Sequence, residues 1–270
     1  MTSFPPCKIN LGLHIISKRE DGLHDLETCF YPVPWTDILE IIPAKELAFT
    51  YSGNAIPGRE EDNLCLRAYH LLKADFNIAP VKIHLHKIIP IGAGLGGGSA
   101  DAAYTLRLLN EIFDLSLSVD QLKNYASKLG SDCCFFVQDK PMLGTGKGEI
   151  LTEIDISLKG FYLVIVKPTI HVSTQEAYSG ISPKRPTIKI QEILKRPVAD
   201  WKEVLKNDFE ESIFKKYPAI AEIKNRFYSN GAIYASMSGS GSSVFALFEK
   251  PVELKKEFVG MDYWRSALIR

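Results

Sequence analysis

The stretch Pro90-Ile91-Gly92-Ala93-Gly94-Leu95-Gly96-Gly97-Gly98-Ser99-Ala100-Asp101 decides how the rest of this 270-residue chain is read. Five of the 19 glycines fall between residues 92 and 98. Glycine loses more backbone freedom on folding than any other residue, so such a cluster is costly unless the main chain has a special job there. Ala102, Ala103, Leu106, Leu109 and Phe113 then recur at helical spacing, and Ser99 stands where an N-cap would. A glycine loop opening onto an amphipathic helix lays N–H groups around an anion, and the helix N-terminus adds partial positive charge. Flexible linkers do not open onto such helices. The stretch reads as a phosphate cradle.

Spacing alone lets Gly92, Gly94 and Gly97 satisfy the dinucleotide fingerprint G-x-G-x-x-G, but the surroundings are wrong for it. Pro90 separates the strand pattern of Val81 to Ile89 from the glycines. After the helix comes Ser116-Leu-Ser118-Val-Asp120-Gln121 and a second helix, so no strand arrives to carry the acidic ribose-binding residue. Gly144-Thr-Gly-Lys147 has the wrong spacing for a P-loop, and the His-Arg-Asp and Asp-Phe-Gly triplets of protein kinases are absent.

The loop resembles the Pro-x-x-x-Gly-Leu-Gly-Gly-Gly-Ser-Ala segment of the GHMP small-molecule kinases, and the resemblance recurs at both ends of the chain. Pro6-Cys-Lys8-Ile-Asn10-Leu-Gly-Leu is followed by Lys18-Arg-Glu-Asp21-Gly22-Leu23-His24, and Met237-Ser238-Gly239-Ser240-Gly241-Ser-Ser lies near the C-terminus. Three motifs in order are far more specific than one. The block from Lys18 to His24, with Gly130-Ser-Asp132 downstream, is similar to the members that act on a cytidine-diphosphate-linked methylerythritol.

That resemblance implies an α+β, two-domain GHMP-kinase architecture. Residues 1–155 would form a ribosomal-S5-like ATP-binding domain and residues 156–270 a ferredoxin-like domain, with the active site in the cleft between them. It implies ATP and Mg²⁺, with Asp132 as general base and Lys8 as its cationic partner. A carboxylate beside an ammonium is a weak base, which matters less in a loose phosphoryl-transfer transition state. Pro90, Gly92, Gly94, Leu95, Gly96, Gly97, Gly98 and Ser99 would hold the triphosphate, Ser99 would also help with the metal, and Asn63 would lie near the adenosine. His24 would recognise the cytosine, with Asn10, Tyr31, Tyr178, Gly239 and Ser240 completing the substrate site. Leu23 stands where the family has an aromatic and loses the quadrupole contribution of an aromatic pair, about 0.5–1.5 kcal/mol. Tyr178 compensates in this reading, with Phe30 a further candidate. Within the family, homoserine- and mevalonate-type kinases are the rival readings. A dinucleotide-binding oxidoreductase and a catalytically silent binding module are the rivals outside it.

Lys plus Arg equals Asp plus Glu at 32 each, and no basic run appears, so no nucleic-acid partner is expected. Every apolar run is short, no membrane span is expected, and the approach to Lys8 lacks an apolar leader. The five cysteines lack Cys-x-x-Cys spacing and read as reduced cytoplasmic thiols, with Cys133 and Cys134 as buried small hydrophobes. A monomer or homodimer acting on a small molecule is expected.

Lys8 to Ser17 alternates cleanly and predicts a half-buried strand with Lys8, Asn10, Gly12 and His14 on its polar face. Asn63 is placed to cap a helix through Leu72, and Ser118 with Gln121 forms a capping box for a helix ending at Gly130. Phe161 to Val166 predicts a central strand, and Ser182 to Pro197 an exposed connection. Pro218 suits the first position of a helix stopped by Asn230-Gly231. His84 and His86 share a strand face without a third ligand at metal spacing, and His171 has no identified partner.

Overall fold

The computed structural model describes residues 1–269 and divides them into two compact units that interleave along the chain. The first comprises Met1–Lys8, Pro32–Ile91 and Gly96–Lys140; the second comprises Ile9–Tyr31, Gly92–Leu95 and Pro141 onward. The elements in chain order are β1 (Thr2–Ser3), β2 (Pro6–Lys18), β3 (His24–Thr36), β4 (Ile38–Pro43), β5 (Ala48–Gly53), α1 (Leu64–Asp75), β6 (Val81–Lys87), α2 (Gly97–Ile112) and α3 (Val119–Leu129). There follow β7 (Met142–Thr145), β8 (Ile150–Glu153), β9 (Tyr162–Lys167), α4 (Thr174–Ser179), α5 (Ile190–Ile193), α6 (Trp201–Val204), α7 (Phe209–Lys216), α8 (Pro218–Ser229), β10 (Tyr234–Met237), β11 (Val244–Phe248) and β12 (Asp262–Ala267).

In the first unit a sheet of order β1-β4-β6-β5 carries helices α1 to α3. Leu39 and Ile41 on β4 and Val81, Ile83 and Leu85 on β6 are buried, as alternation predicts for one face of a sheet. They share the core with Leu72 of α1 and with Ala102, Ala103, Leu106 and Leu109 of α2. Asn63 caps α1 by accepting the Cys65 N–H at 2.9 Å. The capping box of α3 is complete: Ser118 Oγ accepts the Gln121 N–H at 3.3 Å, and the Ser118 N–H donates to Gln121 Oε1 at 2.9 Å. Gly130 ends that helix with φ 169°, an extended conformation open to any residue, rather than the left-handed turn a glycine stop suggests.

In the second unit β9 lies inside a sheet of order β10-β11-β9-β12, antiparallel throughout, with Val164 and Val166 buried on one face. Phe209 and Ile213 of α7 and Ile220, Ile223 and Phe227 of α8 pack against that core. A second sheet has the order β2-β3-β7-β8.

Three expectations are corrected. Strand β2 is buried on both faces, with Lys8 3%, Asn10 1% and His14 7% exposed, because each polar side chain meets a polar partner instead of water. Helix α2 begins at Gly97 with Gly96 as its N-cap, which places Ser99 inside the first turn. The segment from 182 to 197 is not wholly exposed, since the short α5 buries Ile190, Ile193 and the following Leu194. Among the described residues no helix is long and apolar enough to cross a membrane.

Candidate active site

Strand β2 carries Lys8 with its alkyl stem enclosed, and the turn beyond α3 delivers its partner. After Gly130 the chain enters a short 3-10 segment, Ser131–Val137, whose buried Cys133, Phe135 and Phe136 anchor it while Asp132 stays partly open. Lys8 Nζ lies 3.4 Å from Asp132 Oδ2, with the lysine side chain 4% and the aspartate side chain 34% exposed. The result is one nearly buried cation beside one accessible carboxylate, an arrangement that can accept a proton at the carboxylate and stabilise negative charge at the ammonium. Two loop residues join this pair. A Cβ on Gly96 would lie 3.2 Å from Lys8 Cε and 3.0 Å from the Phe136 ring, so only glycine lets the lysine run against the loop there. The Ser99 hydroxyl hydrogen-bonds the Cys133 thiol, which burial nonetheless pushes up to about 12. Lys8, Gly96, Ser99 and Asp132 are thus gathered in the first unit.

The glycine loop itself alternates. Gly92, Gly94 and Gly96 hold φ of +63°, +75° and +73°, whereas Ala93 and Leu95 between them do not adopt positive φ. Alternation of this kind turns successive N–H groups into an anion-binding concavity. Gly94 is boxed in from the second unit's own Ser238–Ser243 loop: an added Cβ would collide with the Ser238 carbonyl and lie 3.0 Å from that of Gly241. Ser238 Oγ donates to the Gly94 carbonyl at 3.0 Å and the Ser243 N–H to that of Ala93 at 3.2 Å. The Gly94→Ala variant is therefore expected to displace the loop and lose at least about 1–3 kcal/mol from backbone strain alone. Urea denaturation together with ATP turnover checks this, and wild-type behaviour in both would refute the close packing.

Sequence reading missed the residues that hold this loop from behind. Asn207, 2% exposed, donates from Nδ2 to the carbonyls of Met237 and Gly239, both at 2.8 Å, while its Oδ1 accepts the Phe209 N–H at 3.0 Å. Glu210 accepts the Met237 N–H at 2.8 Å and the Ser236 hydroxyl at 3.0 Å, and its other oxygen meets Lys224 at 2.6 Å. Half of these partners are backbone groups about thirty positions away, which no side-chain spacing announces.

A second missed network lies in the first unit. Lys87, at the end of β6, bonds Asp101 of α2 at 2.7 Å and also bonds Asp37. Asp37 Oδ1 in turn accepts the N–H groups of Ile88 at 2.6 Å and Ile89 at 2.8 Å. All three charged side chains are 3% exposed or less. Burial pushes the Asp101 carboxyl up to about 7 against the pull of Lys87. Burial alone lowers Lys87, but the two carboxylates outweigh it and its pKa is raised. This network fixes where the chain leaves β6 and how α2 sets out.

In the second unit the rings of His24 and Tyr178 stack at 4.8 Å and 25°, and Tyr178 rests edge-on against Phe209 at 4.9 Å. Leu23 is 49% exposed in its turn, where its N–H donates to Asp21 Oδ1 at 3.0 Å. Asn10 Nδ2 donates to Thr28 Oγ1 at 2.9 Å, and Thr28 passes the bond on to the Gly12 carbonyl at 2.6 Å. Tyr31 is turned inward, 5% exposed, its hydroxyl accepting the Leu158 N–H at 3.1 Å. Phe30 is also buried, against the backbone of Gly144. Pro90, Leu95 and Gly239 are buried, Ser240 is half-buried, and Gly98 is exposed at the mouth of α2. His84 and His86 bond Thr50 and Ser52 hydroxyls at 2.8–3.1 Å, and among the described residues no group of three or more His, Cys, Asp or Glu is placed to hold a metal.

Comparison with known proteins bears on the same segments. Residues 63–140 match the family described as GHMP kinases N terminal domain, and residues 190–260 match GHMP kinases C terminal. A protein of Cytophaga hutchinsonii named 4-diphosphocytidyl-2-C-methyl-D-erythritol kinase is 53% identical over 254 residues, 94% of each chain. One of the same name from Bacteroides thetaiotaomicron is 54% identical over 92% of each. A crystal structure of 4-(cytidine 5'-diphospho)-2C-methyl-D-erythritol kinase superposes with a TM-score of 0.85 at 31% identity, covering 98% of both chains. A homoserine kinase from Cytophaga hutchinsonii shares the fold, with a TM-score of 0.72 at 17% identity. The two-domain fold, the glycine loop and identity of this depth over nearly every residue make the chain a member of the GHMP kinases.

Proposed function

We propose that this ATP-dependent kinase phosphorylates the 2-hydroxyl of 4-diphosphocytidyl-2-C-methyl-D-erythritol, a step in non-mevalonate isoprenoid precursor synthesis. The observation that carries the reading is identity above 50% over more than nine-tenths of the chain to kinases of that name. The Lys8–Asp132 pair at 3.4 Å supplies the chemistry. Asp132 takes the hydroxyl proton as the oxygen bonds the γ-phosphorus, the bond to the β-phosphate oxygen breaks, and ADP leaves. Lys8 stabilises the charge developing on the acceptor oxygen and the transferred group. Because the transition state is loose, positioning and charge stabilisation matter more than basicity. Backbone N–H groups of residues 92–99 cradle the triphosphate, and the stacked His24 and Tyr178 read the cytosine.

The Ser99 hydroxyl in the first turn of α2 suits a Mg²⁺ ion carried on the triphosphate, since Mg²⁺ keeps several waters and needs few protein ligands. Such an ion would neutralise phosphate charge. Asp101, although close in sequence, is committed to Lys87. Five buried thiols fit the reducing cytoplasm.

ADP release with ATP and Mg²⁺ tests the assignment, with the cytidyl substrate, homoserine and mevalonate offered separately. Turnover is expected only with the first. Turnover with another acceptor reassigns the substrate, and none with any of the three overturns the proposal.

A further inference from the structure

His171 lies between β9 and α4, exposed to solvent, and among the described residues its imidazole makes no hydrogen bond or ion pair. Its position is nevertheless fixed. On one side the Ile170 carbonyl accepts the Ser242 hydroxyl at 2.6 Å; on the other, Val172 is 3% exposed in the core of the second unit. Held between these anchors, the ring rests on the phosphate loop: a Cβ on Gly92 would stand 2.7 Å from His171 Cε1 and 2.8 Å from Nδ1. The Ser238–Ser243 loop that bonds Ile170 also bonds the carbonyls of Ala93 and Gly94. Three segments of the second unit are therefore tied together, and the imidazole is a solvent-exposed, unengaged polar side chain at their junction. The carbonyls of Ala93 and Gly94, which would repel an anion, are taken up by the Ser243 N–H and the Ser238 hydroxyl.

We propose that His171 is a phosphate-contacting residue, its ring N–H donating to a phosphate oxygen held at the Gly92 end of the loop. The proposal rests on the kinase reading above. That reaction supplies two phosphate sources, the triphosphate of ATP and the diphosphate of the cytidyl substrate, and the chemistry of the contact is the same for both. A ring that served only to cover Gly92 would need shape but no N–H.

The test compares wild type with His171→Ala and His171→Gln, the second retaining an N–H donor. KM is measured separately for ATP and for the cytidyl substrate, and dissociation constants are measured for a non-hydrolysable ATP analogue and for CDP. Loss of one hydrogen bond to a charged group predicts a rise of about tenfold or more for one of the two ligands in the alanine variant. The other ligand stays unchanged, glutamine restores part of the loss, and the melting temperature is unaltered. A rise for the ATP analogue assigns the contact to ATP, and a rise for CDP assigns it to the substrate. Constants within about twofold of wild type for both ligands overturn the proposal. Equal weakening of both with a lowered melting temperature and no recovery in glutamine also overturns it, in favour of a packing role. If wild type turns over no cytidyl substrate, the kinase assignment fails, while the ATP-analogue arm still decides the role of His171.

Discussion

Replacing Asp132 with Asn is expected to lower kcat by about 10²–10⁴-fold, the range over which a positioned proton acceptor acts. The side chain is 34% exposed and sits on a turn anchored by its buried neighbours, so the amide should occupy the same place with little change in stability. KM for ATP should move far less than kcat, because in the proposed mechanism the carboxylate acts as the acceptor's proton leaves and not when the nucleotide binds. The Asn variant still has a carbonyl oxygen to face Lys8, which separates loss of the proton acceptor from disruption of the site. Steady-state kinetics beside thermal melting decide the matter. A variant retaining more than about a tenth of wild-type kcat would remove Asp132 from the chemistry and point to activation of the hydroxyl by Lys8 and the phosphates alone.

The Lys87→Ala variant is expected to lose about 3–5 kcal/mol of stability, as when one partner of a buried charge network is deleted. Asp37 and Asp101 would then face each other in a dry interior without the cation that both bond. The effect should reach function, since Asp37 also fixes Ile88 and Ile89 just before the phosphate loop and Asp101 sits in the helix just after it. Denaturant unfolding measures the loss. Lys87→Met combined with Asp101→Asn serves as the second variant should the alanine protein resist purification; removing the excess negative charge should recover much of the stability. Failure of the double variant to exceed Lys87→Ala would show that the network does not act through charge.

The residues of the two predictions differ in how far the sequence announces them. Lys8 and Asp132 were legible because they stand inside recognisable blocks, Lys8-Ile-Asn10 and Gly130-Ser-Asp132. Lys87 reads as an ordinary polar residue at the end of an alternating strand, since its partners lie 50 positions before it and 14 after it.

By itself the sequence determined the glycine loop ahead of a helix, the family, the caps at Asn63 and Ser118, and the central strand β9. The loop, the caps and the strand depend on glycine clustering, capping or periodicity within a few residues, where chain connectivity already dictates who the neighbours are, and the family on three such local blocks in order. Tertiary structure decided that β2 is covered on both faces, that α2 starts at Gly96–Gly97 ahead of Ser99, and that Asn207 and Glu210 hold the Ser238 loop. Those outcomes depend on which distant backbone and carboxylate groups arrive at a buried polar atom. Burial makes satisfying that atom obligatory, yet leaves the identity of its partner to the fold.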